Sequence, residues 1–64
     1  RRYVAPREID ELRAILRRVE STGTPRSDLA RTVGLPIARV ALLLIGHRVP
    51  ISTKSADKIR ALRL

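Results

Sequence analysis

The chain contains no cysteine, methionine, tryptophan or phenylalanine, and Tyr3 is its only aromatic residue. The missing cysteine removes disulfides, thiolate zinc sites and thiol catalysis. A single histidine, His47, leaves no basis for a Ser-His-Asp triad in a chain without room for a large cleft. Glycine-rich phosphate loops and metal-ligand spacings are also missing. These absences exclude the common enzyme classes, so we expect no catalysis, cofactor, metal or small-molecule ligand. The longest apolar run, Val40 to Ile45, is six residues, far short of the ~18 needed to span a membrane. No secretory signal is visible. We expect a soluble, cytoplasmic protein, and a first residue other than Met reads as a piece of something longer. Sustained apolar/polar alternation is missing too, so no β-strand is expected.

Acidic residues are scarce. Six Asp and Glu stand against fourteen Arg and Lys, giving a net charge of +8 and an isoelectric point near 11.7. Values this high are typical of nucleic-acid-binding domains. Residues 1–23 carry a net +2 and residues 24–64 a net +6, so most of the excess lies in the second part. The 44% hydrophobic content is almost entirely Ala, Val, Ile and Leu. A 64-residue chain buries only about 60% of its unfolded surface. Dense aliphatic packing of short helices is the form open to it.

In chain order, residues 1–6 show no periodicity and read as a flexible N-terminal arm. From 7 to about 21, Ile9, Leu12, Ile15, Leu16 and Val19 fall on one stripe of a helix. Acids come early in that helix and Arg17 and Arg18 late, which suits the helix dipole. Asp10 with Arg13, and Arg17 with Glu20, have i, i+3 spacing. Its acidic face marks it as scaffold. Gly23 breaks the pattern; Thr24 is placed to cap a second helix over 25–33, with Pro25 at its first position. Leu29, Ala30 and Val33 face inward there. Gly34 supplies a left-handed turn. A third helix over 36–45 turns Val40 and Leu43 inward, beside Leu35, and Gly46 stops it. Ile51 anchors a last helix over 52–63, with Ser52 as N-cap and Ala56, Ile59 and Leu62 inside. Two short helices crossing through a glycine turn, over residues 26–45, form a helix-turn-helix unit.

Leu29-Ala30, Val33-Gly34-Leu35, Val40 and Leu43, then Ile45-Gly46-His47-Arg48-Val49-Pro50, Ser52 and Ala56-Asp57-Lys58-Ile59, resemble the lambda repressor and Cro type helix-turn-helix regulators. The match covers residues 26–62. The Arg- and Ala-rich style is similar to that of regulators from actinobacterial phages and their hosts. The resemblance implies an all-α, compact four-helix bundle, with a fifth helix in some members. It implies sequence-specific binding of double-stranded DNA by a nucleoid-associated repressor, commonly as a homodimer or with a second DNA-binding domain. It implies base contacts from the outer face of the third helix, at Ile37, Ala38, Arg39, Ala41 and Leu42. It implies phosphate contacts from Thr24, Arg26, Ser27, His47, Arg48, Thr53 and Lys54. Arg1 and Arg2 fit a minor-groove arm.

The chain departs from that pattern at its reading face. Arg39 is the only polar residue between Leu35 and Ile45, apart from the backbone. Family members usually offer hydrogen-bonding side chains there, matched to base edges. Two other readings therefore stay open. In one, the apolar helix 36–45 is a docking or dimerisation face of a protein-interaction module. In the other, the domain serves a phage recombinase or a recombination-directionality factor.

Overall fold

The apolar stripe of the first segment becomes the inner face of a 16-residue helix, α1, Pro6–Ser21. Three shorter helices follow: α2, Arg26–Val33; α3, Ile37–Leu44; and α4, Thr53–Ala61. This computed structural model describes residues 2–62. Among them there is no strand beyond one isolated bridge between Tyr3 and Ser52. The architecture is all-α.

Each helix contributes fully buried side chains to one core: Leu12 and Leu16 from α1, Leu29 and Val33 from α2, Val40 and Leu43 from α3, and Ile59 from α4. Ile51, in the loop before α4, is equally buried. α2 packs on α3 and α4, and α1 closes over the other three. The Cα radius of gyration is 10.3 Å. No described helix is long and apolar enough to cross a membrane.

The helix ends follow the punctuation of the sequence, with two adjustments. Thr24 does not cap α2, and Pro25 is not its first residue. Pro25 is itself the N-cap, at φ −64° and ψ 151°, and its carbonyl accepts from Asp28 and Leu29 at 3.1 Å each. Pro36 takes the same place before α3, at φ −58° and ψ 143°. Proline's fixed φ suits an extended N-cap as well as a first turn, so both helices begin one residue later than expected. Ser52 caps α4 as anticipated, accepting from Ser55 N at 3.2 Å.

A second correction concerns the N-terminus. A flexible arm over 1–6 does not describe residues 2–6. Val4 is buried and its N–H donates to Ile51 O at 3.0 Å, while Thr53 N–H donates to Arg2 O at 3.1 Å. Pro6 already belongs to α1. A segment this short shows no period, yet one buried valine and two backbone bonds fasten it to the entrance of α4. Arg1 lies outside the described residues, as do 63 and 64.

Candidate nucleic-acid interface

The placement of α3 begins at Gly34. Its φ of +75° is left-handed, and both Gly34 N–H and Leu35 N–H donate to Ala30 O, at 2.9 and 3.1 Å. This closes the end of α2 and turns the chain sharply. Buried Leu35 then pins the connection, and α3 starts after Pro36. At the other end Gly46, at φ +115°, lets His47 N–H reach back to Leu42 O at 3.0 Å. Three inward side chains, Val40, Leu43 and Leu44, hold α3 against the core.

What remains outside is unusual. Ile37 is 54% exposed, Leu42 43% and Ile45 62%. Ala38 and Arg39 are exposed and Ala41 is half-buried. At 3.6 residues per turn, Ile37, Ala41, Ile45, Ala38 and Leu42 follow one another around the outer arc, and Arg39 stands at its border. All five residues expected at base edges thus lie on or beside this arc. Ile45 joins them: it follows the last helical residue and is more exposed than Ile37 or Leu42.

The expected phosphate contacts fall into two groups. Ser27, His47 and Lys54 are exposed, and neither His47 nor Lys54 forms an ion pair among the described residues. Arg26 and Arg48 are exposed but engaged: Arg26 Nε lies 2.7 Å from Glu20 Oε2, and Arg48 Nη2 lies 3.0 Å from Asp10 Oδ2. Thr24 and Thr53 are half-buried, and the backbone of Thr53 is bonded to Arg2, whose own side chain is exposed. Exposed pairs such as Arg26–Glu20 are worth little in water, about 0–1 kcal/mol, and yield readily to a competing anion.

Sequence reasoning missed how α1 fixes α3. Arg13 Nε donates to Leu43 O at 2.6 Å and its Nη2 to His47 O at 3.1 Å. Arg17 donates twice to Leu44 O, at 3.1 and 2.8 Å. Both guanidiniums thus meet carbonyls at and just after the end of α3, where helical partners run short and positive charge suits the dipole; Leu43 O also accepts from Gly46 N–H at 3.2 Å. The anticipated Arg17–Glu20 pair does not form, because Arg17 turns to α3 and Glu20 to Arg26. Asp10 orients the arrangement, taking Arg13 at 2.8 Å as well as Arg48. The hydrogen bond from Arg48, then that from Arg13, holds the Asp10 carboxyl below its ordinary value. The available signal was the i, i+4 spacing of Arg13 and Arg17 beside the apolar stripe.

Among the described residues, no three His, Asp or Glu side chains gather where they could hold a metal ion. The arrangement offers an outward aliphatic helix, cations around it, and two helix starts, at α2 and α3, with no side-chain cap. Comparison with protein-family models, curated proteins and solved structures gives no match.

Proposed function

We propose that this chain is a helix-turn-helix domain that binds double-stranded DNA with α3 in the major groove, as the DNA-binding part of a transcriptional repressor. The α2–α3 pair carries the reading: a left-handed glycine turn, a buried inner face and a fully outward face on the second helix. The eight residues of α3 extend ~12 Å at ~1.5 Å each, and a major groove about 12 Å wide accepts a helix. Charge supports the same reading. Arg31, Arg39, Lys54 and Lys58 have no acidic partner among the described residues. The uncapped starts of α2 and α3 leave backbone N–H groups for phosphate, and the first turn of α3 holds no acid to repel it. Repression would follow from occupying an operator and blocking promoter access.

Affinity for a mixed-sequence duplex, followed by fluorescence anisotropy across salt concentrations, tests this. Counterion release gives a slope of log K on log salt near −0.9 for each phosphate contacted. A steep fall is expected. Absent binding at low salt contradicts the proposal.

The exposure of Ile37, Leu42 and Ile45 favours a second reading, in which the α3 face pairs with another copy of the chain. Sedimentation of the native chain against Leu42→Lys distinguishes it: self-association through this face is lost in the variant. Identical monomers in both remove that reading.

A further inference from the structure

Resting on the DNA-binding reading, we propose that the outer face of α3 reads the 5-methyl groups of pyrimidines in the major groove. Ile37, Ala38, Ala41, Leu42 and Ile45 cover that face with aliphatic carbon, and Arg39 at its border is the one side chain able to hydrogen-bond a base. Most of the major-groove surface of a base pair is donors and acceptors. Covering those with carbon strips them of water without replacing the bonds, which is unfavourable. The C5-methyl of thymine is the apolar exception, and 5-methylcytosine presents a methyl at the same ring position.

Charge selects the occupant. Arg39 borders the face, while Arg26, Arg48 and Lys54 stand on the segments before and after α3. A groove walled by phosphates and floored with methyls complements cations around an aliphatic centre. Unmethylated G·C sequence meets the cations equally well but puts polar edges against Leu42 and Ile45. Selectivity therefore comes from the methyls and grip from the charges. Covering one methyl is worth about fourfold in affinity, so two or more give at least about tenfold.

The test uses paired duplexes that differ only in this group. Alternating A·T duplex is compared with the same duplex carrying uracil for thymine, and alternating G·C duplex is compared with its 5-methylcytosine form. Affinities come from anisotropy at fixed salt. The expected result is at least about tenfold weaker binding to the uracil duplex and tighter binding to the methylated G·C duplex. Leu42→Ser and Ile45→Ser, both at exposed positions, should reduce both ratios. Equal affinities within each pair overturn the methyl inference and leave DNA binding standing. Ratios unchanged in both variants overturn the assignment to α3. Failure to bind any of the four duplexes at low salt overturns this inference together with the function it rests on.

Discussion

α1 and α3 are both amphipathic, and they differ in the use made of the side turned from the core. On α1 many of the polar side chains are engaged. Asp10 takes Arg13 and Arg48, Glu20 takes Arg26, and Arg13 and Arg17 reach the last carbonyls of α3. On α3 the outer side bonds to no other side chain among the described residues: it is aliphatic carbon and Arg39 alone. The difference separates two tasks. α1 uses charge to hold the bundle together. α3 is held from behind by its inner residues and by α1, which leaves its outer face free for something else.

Substitutions should therefore divide by helix and by face. The largest effect is expected at the inner side of α3. Leu43→Ala should cost about 2–5 kcal/mol, enough to threaten a domain whose total stability is of order 0.05–0.15 kcal/mol per residue. Its neighbour Leu42→Ala should stay within about 0.5 kcal/mol. Urea denaturation of the two variants reads the contrast, and equal losses would break it.

Next comes Arg13→Ala, which removes the charged hydrogen bonds to Leu43 O and His47 O and should cost about 1–3 kcal/mol without touching the outer arc of α3. Arg39→Ala should do the reverse. Stability changes by no more than about 0.5 kcal/mol, while duplex affinity falls and preference relaxes at one base pair by about 1–3 kcal/mol. Selection of bound sites from random DNA measures this. A uniform loss across all sequences would move Arg39 to the phosphate backbone.

The smallest effect concerns pH. The Asp10 carboxyl is held below its ordinary value by Arg48 and then Arg13. A folded value below the unfolded one means that Asp10 stabilises the fold above about pH 4, and that this contribution is lost as pH falls through the folded value. Thermal melts of the native chain and Asp10→Asn should differ near neutrality and converge in acid. A difference that persists in acid would deny Asp10 its role beside α3.

The division between faces also shows what was legible beforehand. Four helices could be read because Gly23, Gly34, Gly46 and the prolines mark their ends, and because the inward residues recur at helical spacing. The outward exposure of Leu42 follows once Val40 and Leu43 are turned inward. Contacts between distant segments were not legible. Nothing local tells Arg17 to prefer Leu44 O, 27 residues away, over Glu20 one turn ahead. That preference exists only once α3 ends beside α1 with carbonyls to satisfy. Val4 is similar: its partner Ile51 O is far along the chain, and one buried side chain makes no periodic pattern. Pro25 and Pro36 shifted two helix starts by one residue because their fixed φ serves both positions.

Backbone amide chemical shifts, followed while an A·T-rich duplex is titrated into the labelled protein, show whether α3 is the helix that meets DNA. The largest changes are expected at Ile37, Ala38, Ala41, Leu42 and Ile45 and around Arg26 and Ser27, with Glu11 to Arg18 of α1 nearly unmoved. Largest changes along α1, or none on α3 at saturating duplex, would contradict the proposed role of α3.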